Sequence, residues 1–216
     1  MSRSTLRIPV AKEGAIFILP LAALSLILWI LWFTACAGFF SLLTLFVVYF
    51  FRDPERSIPP GEKAVLAPAD GKIIKVEPCW EEYLLKGPTL KVSIFMSLFN
   101  VHVNRIPLTG RIIDSSYQTG KFIRANLDKA STMNEQNALL METPDGTRLL
   151  FVQIAGLIAR RIVCWIKKGD AVERGCRFGM IRFGSRVDVY LPANTRLQAQ
   201  IGQKVLGGQT ILGVLT

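Results

Sequence analysis

The sequence has one histidine, His102, among 216 residues. A multi-histidine metal centre is therefore excluded, and imidazole chemistry has a single candidate. Cysteine is also sparse. Cys36, Cys79, Cys164 and Cys176 form no CxxC pair, and one of them lies in an apolar run. That spacing argues against a zinc site or a disulfide framework, and predicts reduced, mostly buried thiols of a cytoplasmic protein. Acidic residues are few. Sixteen Asp and Glu stand against 26 Lys and Arg, a net charge of +10, which calls for an anionic partner. Nucleic acid is a poor fit. The basic residues are scattered, with no helix-turn-helix, zinc finger or aromatic-basic platform.

Charge is absent altogether from residues 15–51, AIFILPLAALSLILWILWFTACAGFFSLLTLFVVYFF. A bilayer core takes about 20 helical residues, so this run is too long for one straight span and long enough for two short ones. The small residues 34–38 are the expected break. Arg3, Arg7 and Lys12 precede the run, and Arg52 and Arg56 follow it. With both flanks on the cytoplasmic side, the segment reads as a transmembrane helical hairpin. A signal peptide fits worse, because no small-residue cleavage site closes the run. The expected organisation is a membrane anchor over 1–51, a Pro-rich linker over 52–61 and a catalytic domain over 62–216.

The domain reads as mainly β. Strand-like stretches lie at 64–77 with a turn at Asp70-Gly71, and at 89–105, 108–117 and 138–154, the last with a turn at Pro144-Asp145-Gly146. Further stretches lie at 158–166, 177–191 and 197–205, while 126–137 reads as a loop or short helix. Residues 166–179 and 201–213 repeat a spacing of Gly, Val and Gly. This resembles the hairpins of biotinyl- and lipoyl-type barrels, with glycines supplying tight turns. The alternative is two unrelated hairpins in one barrel- or sandwich-like domain.

The chemistry centres on residues 180–192, MIRFGSRVDVYLP. Glycine weakens a strand, so Gly184-Ser185 inside such a run is either a bulge or a special site. Three other stretches decide between them: APADGKI at 67–73, FMSLFNVHVNRIPLTG at 95–110 and GKFIRANLDKASTMNEQN at 120–137. Taken in order from Arg52 to the C-terminus, these closely resemble the short form of the phosphatidylserine decarboxylases.

The resemblance implies a self-made cut between Gly184 and Ser185, with the two fragments staying together as a heterodimer. The Ser185 hydroxyl attacks the Gly184 carbonyl to give an ester. β-Elimination and loss of ammonia then leave a pyruvoyl group as covalent cofactor, with no metal. That group forms a Schiff base with the serine amine of phosphatidylserine and accepts the electrons freed as CO2 leaves. A serine hydroxyl needs a base beside it, and the resemblance gives that role to His102, oriented by Asp70. On the residues alone Asp70 also reads as a turn residue before glycine, and His102 as a buried histidine. Longer members of the family carry two histidines three apart; here Arg105 stands in the second place. They also carry Leu-Gly-Ser-Thr at the cut, where Phe183 and Arg186 flank the pair here.

Head-group cations are sought among Lys121, Arg124, Lys129, Arg160 and Arg161. The alternative for each is a solvated contact to anionic membrane lipid. Two other functions remain open: the same chemistry on an archaeal-type ether phosphoserine lipid, and a non-enzymatic membrane scaffold. Localisation at the cell membrane, with the domain on the cytoplasmic side, follows from the hairpin. A higher oligomer is left open.

Overall fold

The computed structural model describes residues 9–121, 123, 125, 133–156, 161–182 and 184–216. The chain divides into two compact units, 1–55 and 56–216. In the first unit a single 3-10 turn, Lys12–Gly14, leads into helix α1, Ala15–Ile30, and helix α2 follows at Thr34–Phe50. The reversal between them occupies residues 31–33, with Trp32 at φ +62°. The expected break at 34–38 is instead the first turn of α2. Small residues there let the two helices approach closely. Ala37 is wholly buried, and its carbonyl accepts bonds from the hydroxyls of Ser25 and Ser41. Ser25 and Ser41 also bond each other at 2.7 Å, and Trp29 Nε1 donates to Ser41.

The two ends of this helix pair are tied together. Ala11 N donates to Phe51 O and Asp53 N to Pro9 O, each at 2.7 Å, around an antiparallel bridge of Val10 and Arg52. Residues 12–30 are long and apolar enough to cross a membrane, with mean hydropathy 2.1, whereas α2 is a shorter apolar helix. Ile16, Leu19, Trp29, Leu42 and Leu45 expose more than half their surface. Such a surface costs free energy in water and none in hydrocarbon.

The second unit is built from short antiparallel strands. These are β1 Ala64–Leu66, β2 Gly71–Glu81, β3 Gly87–Met96, β4 Val103–Arg105, β5 Gly110–Gln118, β6 Gln136–Glu142 and β7 Arg148–Ala155. They continue with β8 Ile162–Cys164, β9 Ala171–Val172, β10 Arg177–Ile181, β11 Ser185–Pro192, β12 Arg196–Leu197, β13 Lys204–Val205 and β14 Ile211–Val214. Eight of them form one sheet in the order β13-β2-β3-β11-β7-β6-β5-β9, which curls into a half-barrel. Two three-stranded sheets, β1-β14-β12 and β4-β10-β8, accompany it. The mainly β expectation holds. The turn at 143–147 closes β6 onto β7 as read. The stretches around Asp70-Gly71 do not pair with each other: β1 joins β14, and β2 joins β3. Residues 126–132, expected as loop or helix, lie outside the described residues, and β6 already begins at Gln136. The linker residues also bind the domain, since Arg174 donates to the carbonyls of Pro59 and Gly61. The thiols are less buried than expected. Cys36 and Cys176 are exposed, and Cys79 and Cys164 are half-buried.

The repeat seen in the sequence extends through the whole domain. Strands β9 and β13 sit at the two edges of the large sheet, while β10 and β14 are the middle strands of the two small ones. Glycines with positive φ stand at equivalent places, Gly169 and Gly175 in one copy, Gly202 and Gly208 in the other. Matching bonds follow. Gly208 N donates to Ala67 O as Gly175 N does to Ile106 O, and Arg105 N to Pro68 O as Leu66 N does to Pro107 O. One half is therefore β4 to β10, continuous in the chain. The other is β1 to β3 with β11 to β14, and the first half is inserted into it after β3. Where the continuous half has the closed turn 143–147, the interrupted half has its two cut ends, Met96 and Ser185, still paired across the ladder.

Gly71 and Gly110 begin the equivalent strands β2 and β5. A Cβ there would stand 2.2 Å from Phe95 O and 2.3 Å from Glu142 O respectively. Gly71→Ala and Gly110→Ala should each lower stability by about 1–3 kcal/mol, the usual range for overpacking. Denaturant melts should show similar losses. A cost at one site only would contradict the equivalence of the halves.

Candidate active site

Ser185 opens β11, the strand at the centre of the large sheet, with Met96 of β3 on one side and Ala155 of β7 on the other. Alternation along β11 turns Val187, Val189 and Leu191 into the main core together with Ser185. The serine is wholly buried, and its Oγ donates to Met96 Sδ at 3.2 Å. The preceding Gly184 has φ +70°, a conformation costly for any residue with a Cβ. A Cβ at Gly184 would meet nothing within 4 Å. Glycine is thus required there by backbone angle.

The close contact lies on the other side of that carbonyl. A Cβ at Gly156 would stand 2.1 Å from Gly184 O and 3.0 Å from its carbon. Gly156 directly follows Ala155, the ladder partner of Ser185, so the end of β7 is pressed against the Gly184–Ser185 peptide group. Sequence reasoning passed over Gly156, because the contact arises only when β7 and β11 pair.

Asn134 fixes the end of β7. Its Nδ2 donates to Ala155 O at 2.7 Å and to Ile123 O at 2.8 Å, while its Oδ1 accepts from Ile123 N at 3.0 Å. Glu135 O accepts from Ala155 N. The Asn134-Glu135 pair thus clamps the strand end opposite Ser185. Glu135 also bonds the Tyr117 hydroxyl, which is the main reason that phenol's pKa is pushed up to about 12. An anionic neighbour disfavours the phenolate.

His102 is wholly buried just before β4, and Ile181 N donates to its carbonyl at 3.4 Å. This brings the histidine beside the segment that leads into Ser185. Its Nδ1 stands 2.9 Å from Asn100 O. A carbonyl can only accept, so Nδ1 carries a proton, and in the neutral ring this leaves the lone pair on Nε2, the tautomer a general base needs. The Asn100 carbonyl is set by a turn in which Ser97 N and Oγ both donate to Asn100 Oδ1 at 2.8 Å.

Asp70 is buried, and its described bonds go elsewhere. Oδ2 pairs with Arg56 Nη2 at 2.9 Å and Oδ1 accepts from Gly207 N at 2.7 Å. The equivalent residue of the other half is Thr109, whose hydroxyl accepts from Arg174 N at 3.2 Å. The two halves thus use the same side-chain position to hold the facing turn. At Nδ1 of His102, where a triad has its carboxylate, the described partner is the backbone of Asn100.

The remaining cations divide. Arg105 donates to Gly175 O at 3.0 Å from a buried position. Arg186 is wholly buried, on the opposite face of β11 from Ser185. It makes a bidentate pair with Asp188, bonds Ser93 Oγ at 2.8 Å, and shares Asp188 with Lys91 at 3.4 Å. Arg161 is exposed, its carbonyl accepting from Arg182 N at 3.4 Å, and its charge partly offsets the shift of Tyr117. Lys121 is exposed, with its backbone bridged to Asn134. Lys129 and Arg160, like Arg124 and Phe183, lie outside the described residues. Among the described residues no group of three or more His, Cys, Asp or Glu could hold a metal ion.

Asn134→Ala removes three bonds and leaves buried backbone groups unpaired, so it should cost about 2–4 kcal/mol. Asn134→Asp keeps only the acceptor and should fall between. Equal melting temperatures for all three proteins would contradict the clamp.

The family model described as phosphatidylserine decarboxylase matches residues 43–213. A phosphatidylserine decarboxylase proenzyme of Geobacter metallireducens is 50% identical over 212 residues, covering 96% of this chain and 97% of that protein. One from Syntrophus aciditrophicus is 54% identical over 170 residues, covering 79% and 80%. One from Geobacter sulfurreducens is 50% identical over 214 residues, covering 96% and 97%. With the matched region reaching from α2 to β14 and taking in both paired ends at Met96 and Ser185, the chain belongs to the phosphatidylserine decarboxylase family.

Proposed function

We propose that the chain is a precursor that cuts itself between Gly184 and Ser185, and that the new terminus made from Ser185 removes CO2 from phosphatidylserine to give phosphatidylethanolamine. Family membership supports the decarboxylation. The observation that carries the self-cleavage is the Gly184 carbonyl, pressed against Gly156 by a left-handed backbone directly ahead of a buried serine. Such a fixed carbonyl has little freedom to lose on attack, and positioning of this kind is worth several kcal/mol of barrier.

In this reading His102 Nε2 accepts the proton of Ser185 Oγ, directly or through water, while Asn100 holds the imidazole in its basic tautomer. Asp70 stays in the reading as a buried carboxylate paired with Arg56. The loop that carries it is bonded to Arg105, at the far end of the short strand that follows the histidine. The site fits a pyruvoyl group, because the Met96 thioether that accepts the Ser185 hydrogen bond would equally pack against a methyl group. When present, that group supplies an electron sink for the bond to the departing CO2. In the uncut chain Ser185 is shut off from solvent, so the freed end at Gly184 must move aside before lipid can reach it.

The apolar helix pair is the proposed anchor in the cell membrane. Its bridged ends favour both flanks on one side, the cytoplasmic side by their basic charge. Arg161, with Arg160 and Lys129, is proposed to meet the anionic head group or neighbouring acidic lipid. The cut fragments are proposed to remain a heterodimer through the pairing of β11 with β3 and β7.

Gel electrophoresis tests the reading. The wild-type 24.1 kDa chain should divide into a large fragment and residues 185–216, whereas Ser185→Ala should stay whole and inactive. Gly156→Ala displaces the carbonyl and should slow cleavage on the order of 10²-fold, with the uncut protein still folded. His102→Ala should slow it by roughly 10²–10⁴-fold. Asp70→Asn should mimic His102→Ala if its charge supports the imidazolium. Cleavage of Ser185→Ala at this position, or wild-type rates in both Gly156→Ala and His102→Ala, would overturn the proposal.

A further inference from the structure

Three buried carboxamides lie in a row beside Ser185. Asn137 of β6 donates through Nδ2 to Gln153 Oε1 at 3.0 Å, and Gln153 of β7 donates through Nε2 to Asn104 Oδ1 at 2.9 Å. Asn104, on β4, then donates through Nδ2 to Met96 Sδ at 3.8 Å, the sulfur that also receives the Ser185 hydroxyl at 3.2 Å. Gln153 and Asn104 are wholly buried, and Asn137 nearly so.

A carboxamide has one accepting end and one donating end. Each acceptor after the first is taken by the donor before it, and Asn137 at the head of the row also donates to the Cys164 sulfur, whose own proton goes to Ile166 O, so the row has a single direction. Rotating Asn104 by half a turn would set two N–H groups against each other at Gln153. The relay therefore forces Asn104 to aim its –NH2 at the Met96–Ser185 contact. The group it meets there is a thioether, a weak acceptor that the serine hydroxyl already uses. In a dry site a donor held against so poor an acceptor is costly, and an oxygen bearing negative charge would satisfy it far better.

The self-cleavage proposed above, on which this inference rests, makes such an oxygen. After Ser185 Oγ has attacked Gly184, Oγ is the bridging ester oxygen. Elimination then removes the Cα proton of Ser185 to a base, the electron pair forms Cα=Cβ, and the Cβ–Oγ bond breaks. Oγ leaves as an oxygen of the Gly184 carboxylate and gains the charge. Water then replaces the nitrogen at Cα and ammonia departs.

We propose that Asn104, oriented by Gln153 and Asn137, donates a hydrogen bond to the departing Oγ and so speeds the elimination rather than the first attack. Gln153 and Asn137 are positioning residues that act through Asn104.

The two steps separate with hydroxylamine, which splits the ester but not the peptide bond, leaving a free serine terminus on residues 185–216. The test uses full-length protein in detergent. Asn104→Asp keeps the acceptor for Gln153 and loses the donor; Gln153→Met removes the orientation without touching Ser185. Melting of each uncut variant against Ser185→Ala reports folding, and Gln153→Met guards against failure of Asn104→Asp to fold with a buried charge. The expected result is at least a tenfold slower appearance of the amine-free small fragment, with accumulation of hydroxylamine-labile chain, in a protein that melts like Ser185→Ala. Wild-type kinetics, or a folded variant that stays uncut and resists hydroxylamine, would overturn the proposal. Failure of the wild-type chain to cleave at all would sink the underlying reading instead.

Discussion

Everything at the site follows from one break in a ladder. The large sheet is built from two equivalent halves, and in one of them a tight turn at 143–147 joins β6 to β7. In the other half the same connection is opened by insertion of 103–181, yet the ladder persists: Ser185 still pairs with Met96. A hairpin end normally sits at the surface, where its unpaired groups meet water. Here the two ends are buried, because the inserted half returns through β4 and β10 and covers them. His102 rides on one crossing and Gly184 on the other. The pairing of β11 with β3 and β7 therefore does more than hold the sheet; it fixes the buried serine directly after the bent glycine, on the segment that leaves the strand bonded to His102 O.

The first residues of β11 are polar on both faces. Arg186 and Asp188 lie outward, Ser185 inward with the Asn104–Gln153–Asn137 row nearby. Buried ion pairs and amide networks are weak sources of stability, since desolvation offsets most of their attraction. They do penalise misalignment, because a shift by one residue would leave charges unpaired in the core. The proposed bond-breaking step at the first residue of this strand needs such fixed register. The apolar residues Val187, Val189 and Leu191 supply the burial that the polar ones do not.

Much of this was legible in the sequence, and for identifiable reasons. The alternation of apolar residues gave most of the strands, and Pro144-Asp145-Gly146 marked its turn by local chemistry alone. The glycine spacing in 166–179 and 201–213 pointed to repeated hairpins, which the four left-handed glycines carry out. What failed was partner choice. Asp70-Gly71 looks like a hairpin turn, but Gly71 is there for close approach to Phe95 and the flanking strands enter different sheets. Residues 34–38 looked like a helix break, yet small side chains serve equally well at a helix contact. Gly156, Met96, Asn104 and Gln153 carried no local signal. Their roles come from contacts across the sheet, and a single sequence holds no trace of which strands will meet.

The central claim is that Ser185 is consumed to make the new terminus, rather than merely lying beside a cut. The mass of the small fragment from active wild-type protein tests this most directly. A pyruvoyl terminus makes residues 185–216 lighter by one ammonia than the same peptide with a free serine, and leaves no amine for sequential degradation. The account predicts that lighter, amine-free fragment. A fragment with the mass of a plain hydrolysis product, or an active preparation consisting only of the intact 24.1 kDa chain, would contradict it.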